Sequence, residues 1–206
     1  MTTANLDVGR PVKTNRPGQQ AIPEEFVREV LDGVRFYYPG FRQALKNKQT
    51  AEDIMADSLF QAILKNLIGD FLKKKLNRKN WMVLAGETGS HINIKNNLGL
   101  DVVVFEKAAA LNQKNWLEYS NFPPFLVIEI DVNVELPDVQ SDLFQEYVVP
   151  KINRLFAFGT QKVVWVFTKS KKVFIADGQS QRIEDWGNPI EILDGIFFNI
   201  EKHFVG

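Results

Sequence analysis

The stretch Pro123-Pro124-Phe125-Leu126-Val127-Ile128-Glu129-Ile130-Asp131-Val132 reads as a buried strand that carries carboxylates where apolar residues should run unbroken. Strand alternation puts Phe125, Val127, Glu129 and Asp131 on one face and Leu126, Ile128, Ile130 and Val132 on the other. Two acids therefore share a face with bulky hydrophobes. An unpaired carboxylate is costly to bury, so a residue in that position is paired, hydrogen-bonded, protonated or bound to a cation. Upstream, Leu98-Gly99-Leu100-Asp101-Val102-Val103-Val104-Phe105-Glu106 repeats the pattern, with Asp101 at the mouth of another apolar strand. Acids on two strands point to one metal site.

Working outward, a helix is expected over Leu143 to Phe158, interrupted by Pro150 and closed by Gly159, with Lys151 set among Ile152, Leu155 and Phe156. Lys162 to Phe167 and Val173 to Ala176 read as strands joined by the turn Thr168-Lys169-Ser170-Lys171. Ile190 to Phe198 is expected to add an edge strand or to cover the sheet. The segment Asn133 to Ser141, with Glu135, Pro137 and Asp138, has no apolar period and is expected to be a loop beside the acids. On the N-terminal side, Pro23-Glu24-Glu25 predicts a helix running to Leu31, and Val34 to Tyr38 a strand ended by Pro39-Gly40. Thr50, with Asp53 three residues on, predicts the start of one long amphipathic helix through Ile54, Met55, Leu59, Ile63, Leu67 and Phe71 to Leu76. This order of elements argues for an α/β (mixed α+β) fold, a mixed sheet flanked by helices. The helix between Val132 and Lys162 would serve as a crossover within that sheet.

With 206 residues, 45% hydrophobic, the chain is expected to form a single domain over 21–206 behind a flexible polar tail, 1–20. Its 25 basic and 25 acidic residues cancel, so no global field draws it to nucleic acid or membrane. Binding to nucleic acid would need a local patch, for which Lys73-Lys74-Lys75 and Lys169, Lys171 and Lys172 are candidates. The absence of cysteine excludes disulfides, thiolate metal sites and cysteine nucleophiles. No run reads as a signal peptide or membrane span, so a cytoplasmic protein is expected. His91 and His203 have no metal-ligand spacing, whereas Glu52, Asp57 and Gln61 on the long helix could face the acids. Glu87, in Gly86-Glu87-Thr88-Gly89, is either a turn residue or a further acid beside the site.

An acid at a strand start, a second acid inside the next apolar strand and a nearby lysine resemble the PD-(D/E)XK nuclease superfamily. More closely, Leu100-Asp101-Val102-Val103-Val104, Pro124 to Ile130, and Lys151 ahead of Gly159 and Val164-Trp165-Val166 resemble the restriction endonuclease family long catalogued as a domain of unknown function. The resemblance implies a restriction endonuclease-like fold and a metal-dependent endonuclease that hydrolyses DNA phosphodiester bonds. It implies Mg²⁺ or Mn²⁺ on Asp101, Glu129 and the carbonyl of Ile130, and Lys151 assisting the attacking water. Two-strand cleavage would suit a homodimer, with Val163 to Phe167 and Ile190 to Phe198 as apolar edges. Leu100 stands where the superfamily has proline, and Asp131 where its lysine follows the second acid. In the family it resembles, that lysine has moved to the following helix. The alternative is a nuclease-like domain without catalysis, acting as a nucleic-acid or protein interaction module. In that case Asp101 would cap a turn, Glu129 would pair with Lys151 or Arg154, and Lys151 would be an ordinary helix residue with its stem buried.

Overall fold

The computed structural model describes residues 22–136, 142–193 and 195–204. The expected tail and the loop positions Pro137 and Asp138 lie outside the described residues. The chain runs β1 (Val27–Leu31), β2 (Val34–Tyr37), α1 (Phe41–Lys46), α2 (Leu59–Lys75), β3 (Trp81–Asn93), β4 (Asn96–Glu106), α3 (Lys107–Leu111) and β5 (Leu126–Ile130). It continues with α4 (Val149–Phe158), β6 (Lys162–Phe167), β7 (Lys172–Asp177), β8 (Gln181–Asp185), β9 (Ile190–Leu193), β10 (Ile196–Phe198) and α5 (Ile200–Phe204).

Every residue of β5 is buried because the strand lies inside an eight-stranded mixed sheet, in the order β2-β1-β4-β5-β6-β7-β8 with β3 on the other edge of β4. It runs antiparallel to β4 and parallel to β6, and helices cover both faces, which is why its apolar run is nearly continuous. Leu64, Ile68 and Leu72 of α2 pack on Val102, Val104, Ile128 and Ile130. On the opposite face, Ile152 and Leu155 of α4 pack with Val103, Val127, Val163 and Trp165. The β9–β10 hairpin is a separate two-stranded sheet that covers the α2 face through Ile190, Ile192 and Phe198. Since β6 is an interior strand, it is not the exposed dimerisation edge expected from Val163 to Phe167.

Two helix expectations are corrected. Glu24–Phe26 forms only a 3₁₀ turn, and Val27–Leu31 is a strand paired with β2. Asp32 and Gly33, with φ of 53° and 78°, make the two-residue hairpin turn that an Asp-Gly pair favours, so the pair turns a hairpin and ends no helix. The Thr50 and Asp53 capping box is present, yet it opens only the 3₁₀ turn Ala51–Asp53, and the backbone leaves helical angles at Ile54 (φ −126°). The long helix starts after Ser58, whose hydroxyl accepts from Gln61 N at 3.2 Å while Gln61 Oε1 accepts from Ser58 N at 3.1 Å. The later start changes the buried face to Gln61, Leu64, Lys65, Ile68, Gly69 and Leu72, and leaves Leu59 79% exposed. Gly69 allows the close approach to β3, since a Cβ there would lie 2.7 Å from Ala85 Cβ.

Pro150 does not interrupt the helix around it. A π-helical turn, Phe144–Val148, leads into α4, and Pro150 falls in the first turn of that helix, where its missing N–H is tolerated. Gly159 ends α4 at φ 121°.

Candidate active site

The site begins where two strands part. β4 pairs with β5 only from Val102↔Ile128 to Val104↔Leu126, and toward its N-terminal end it meets β1 at Val30↔Asn97. Asp131 N donates to Val166 O at 2.8 Å, so odd-numbered N–H groups at the end of β5 face β6 and that of Ile130 faces β4. With no backbone carbonyl opposite it, Ile130 N donates to Asp101 Oδ2 at 2.8 Å. The aspartate therefore closes a fork between strands and caps no turn of its own. On the other edge of β4, the pairing with β3 shifts between Ala85 and Thr88, a bulge at Gly86-Glu87 opposite Asp101. Leu100 packs in the α4-face core and Val102 in the α2-face core, so the alternation of β4 slips at Asp101.

Two buried lysines reach the fork from opposite faces of the sheet. Lys151 of α4 is fully buried, and its Nζ donates to Glu29 Oε1 (2.9 Å), Gly99 O (3.0 Å) and Tyr147 OH (3.0 Å). Tyr147 OH donates in turn to Glu29 Oε2 at 2.9 Å. An ammonium has three N–H donors, and all three are occupied. Glu129 Oε1, only 3.3 Å from the same Nζ, is consequently buried with no hydrogen-bond donor. Lys65 of α2 donates to Asp57 Oδ1 (2.8 Å) and Oδ2 (2.7 Å) and lies 2.8 Å from Asp101 Oδ1. No donor is aligned on that Asp101 oxygen, which is also buried.

Burial pushes the Glu129 carboxyl up to about 8, against the pull of Lys151 and with further help from the charges of Asp101 and Glu29. Burial works to lower the Lys151 ammonium, but Glu129, Glu29 and Tyr147 overcome it and hold the group well above its usual value. Lys65 follows the same logic: desolvation works against its charge, Asp101 and Asp57 outweigh it, and the net shift is upward.

Asp131, at the place of the superfamily lysine, has turned away. Its φ is 59°, Oδ1 accepts from Thr168 N (2.7 Å) and Oδ2 from Thr168 Oγ1 (2.6 Å), which ties the end of β5 to the end of β6. Gln61 Nε2 donates to Asn133 Oδ1 at 2.7 Å, and Asn133 Nδ2 to Ile130 O at 3.2 Å. Arg28 spans the mouth from the β1 side: its guanidinium donates to Asn133 O at 3.0 Å and pairs with Glu87 Oε1 at 2.9 Å. Glu87 is thus an acid on the bulge, held by Arg28. Glu135 is fixed away from the fork by Arg42 at 3.0 Å and by Gly40 N at 3.0 Å.

Of the residues singled out in the sequence, Asp101, Glu129, Lys151 and Ile130 meet at the fork, and Asp57 and Gln61 border it. The basic patches do not: Lys73 pairs with Asp70 (3.4 Å), and Lys172 with Asp185 (2.5 Å) on the hairpin. Sequence reasoning missed Glu29, Lys65, Tyr147 and Arg28. Glu29 becomes visible once Val27 to Leu31 is read with strand alternation, which groups it with Val27 and Leu31. Lys65 becomes visible once α2 is started at Ser58, in the same stripe as Gln61, Ile68 and Leu72.

Among the described residues, no group of three His, Asp or Glu side chains is arranged to hold a metal ion. Asp101 and Glu129 offer carboxylate oxygens of the hard type that Mg²⁺ and Mn²⁺ take, but Lys65 Nζ lies 2.8 Å from Asp101 Oδ1 and Lys151 Nζ 3.3 Å from Glu129 Oε1, so an ion there would displace an ammonium.

The sheet, its flanking helices and the forked strands define a nuclease-like α/β fold. A solved structure described as a candidate nuclease belonging to DUF820, from Anabaena variabilis ATCC 29413, shares it: TM-score 0.60 and 15% identity, over 85% of this chain and 88% of that one. No family model matches the sequence, and no curated protein matches it.

Proposed function

We propose that the fork is the active site of a divalent-metal-dependent endonuclease of the PD-(D/E)XK type that hydrolyses DNA phosphodiester bonds. The observation that carries this reading is that two buried carboxylates, Asp101 and Glu129, lie at one strand fork, with Lys151 Nζ 3.3 Å from Glu129. The fold shared with a candidate nuclease agrees with it. Asp101, Glu129 and the Ile130 carbonyl are the residues that would hold Mg²⁺ or Mn²⁺, which would supply charge neutralisation at the scissile phosphate and a more acidic bound water. Glu29 and Tyr147 fix the Lys151 ammonium beside Glu129. Gly99 O is its one uncharged backbone partner, and giving up that bond frees an N–H for the attacking water. Glu129, held near 8 by burial, has to shed a proton before it accepts a cation, so ion binding strengthens as pH rises toward that value.

A second reading, an interaction module without catalysis, is favoured by the cations already present: Lys65 sits on Asp101 and Lys151 beside Glu129. Calorimetry with Mn²⁺ and Mg²⁺ on the wild type and on Glu129→Gln separates the two. Binding that disappears in the variant, together with metal-dependent nicking of supercoiled plasmid, is the expected result for the nuclease. A wild type that takes up neither ion and leaves plasmid intact would be the module.

A further inference from the structure

The sheet face that carries Lys151 holds a second concavity, between β3 and residues 112–122 after α3. Its cavity volume is about 210 Å³, smaller than a drug-sized ligand site of roughly 300–1,000 Å³ and on the scale of one planar ring system. Met82, Phe105 and Phe122 line its apolar walls, and Trp116 and Tyr119 also line it while remaining 60% and 57% exposed.

The segment bearing these rings is pinned. Ser120 N donates to Gly89 O at 3.0 Å and His91 N to Ser120 O at 2.8 Å, which fastens the segment to the edge of β3. Asn115 Oδ1 accepts from Leu117 N at 3.0 Å, and Asn115 Nδ2 donates to Glu118 Oε1 at 2.8 Å. Tyr119 lies directly on Gly89: a Cβ there would be 2.5 to 2.8 Å from its ring carbons, so the ring has this seat only because residue 89 is glycine.

Gln113 braces the segment from inside. Its Nε2 donates to the carbonyls of Asn115 (2.8 Å) and Glu118 (3.3 Å), which sets the orientation of the amide. Its Oε1 is left buried and without a donor. A pocket flanked by two exposed aromatic rings, with Thr88, Glu118 and Ser120 also in its lining, suits a flat heterocycle that stacks on those rings.

The position of the pocket narrows the source of such a ligand. Gly89 pairs in register with Gly99, and Gly99 O accepts from Lys151 at 3.0 Å. Cross-strand partners lie about 5 Å apart, so the pocket wall and the lysine's anchor are the two sides of one rung. We propose that this pocket takes an unstacked nucleobase of the nucleic-acid strand engaged at the fork, stacked on Trp116 or Tyr119. The strand as its source rests on the nuclease reading; the recognition of a heterocycle does not.

The test is a fluorescence titration, in EDTA, with a single-stranded octadeoxynucleotide carrying one internal 2-aminopurine. Stacking quenches the probe, and Trp116→Ala, at an exposed position, is expected to weaken binding about 5- to 150-fold, the equivalent of 1–3 kcal/mol per stacked base. Ile183→Ala, at an exposed position on β8 outside the pocket, is expected to leave it unchanged. Absence of quenching, equal affinity for an oligonucleotide abasic at the probe position, or a Trp116→Ala titration identical to wild type overturns the proposal. Free 2-aminopurine deoxyriboside binding as tightly as the oligonucleotide overturns the strand as source and leaves a small heterocycle as the ligand. Quenching without ion binding or plasmid nicking retains the pocket and removes the nuclease; nicking without quenching does the reverse.

Discussion

Lys65 and Lys151 each bring one ammonium to one acid of the same fork, yet they do so in different surroundings. Lys65 is shared between Asp101 and Asp57, and the Asp57 side chain is 30% exposed, so water reaches one side of that cluster. Lys151 is enclosed with Glu29, Glu129, Tyr147 and Trp165, and the side chains of Lys151 and Glu29 are 0% and 1% exposed. The α2 side of the fork borders solvent; the α4 side is enclosed in the core. Charge pairing alone does not distinguish them, because both are lysine with carboxylates. The difference is desolvation, which raises the cost of every unpaired group as water withdraws.

The largest expected effect breaks the dry cluster. Lys151→Met leaves Glu29 buried without its cation and should cost about 3–5 kcal/mol in urea unfolding. Lys65→Met, by contrast, leaves Asp57 able to turn to solvent, and a loss of about 1.5–3 kcal/mol is expected in the same measurement. Equal losses would show that the two sides are alike.

The smallest effect sharpens the comparison through pH. Burial places Glu129 near 8 in the folded chain, against an ordinary value of 4.5. Below 4.5 both folded and unfolded chains carry that proton. Between 4.5 and about 8 only the folded chain does, so stability falls as pH rises through this window, and above about 8 the loss is complete. Glu129→Gln removes this dependence, so urea midpoints should show the variant gaining on the wild type between pH 5 and pH 8. A constant difference would mean that Lys151 holds Glu129 ionised throughout.

Much of this site was legible in the sequence, for a specific reason. Asp101 and Glu129 interrupt apolar strands, and a carboxylate in such a run has few structural explanations. Lys151 was legible because it lies inside an apolar helical stripe. Glu29 was hidden because Pro23-Glu24-Glu25 is a good helix start, and local propensity outweighed an alternation only five residues long. Lys65 was hidden by the Thr50 capping box, which is real but opens one turn only; eight residues later a second box at Ser58 begins the helix proper.

By itself the sequence determined the strand character of β4 through β7, the mixed sheet flanked by helices, and the presence of acids inside apolar strands, because alternation and turn chemistry act over a few residues. The tertiary structure alone decided where the strands part, which lysine meets which acid, and that Asp131 turns to Thr168 instead of joining Glu129. Those outcomes depend on pairings between residues as distant as Glu29 and Lys151, and the energy of such pairings is set by how much water the surrounding core excludes, a property no local stretch of chain contains.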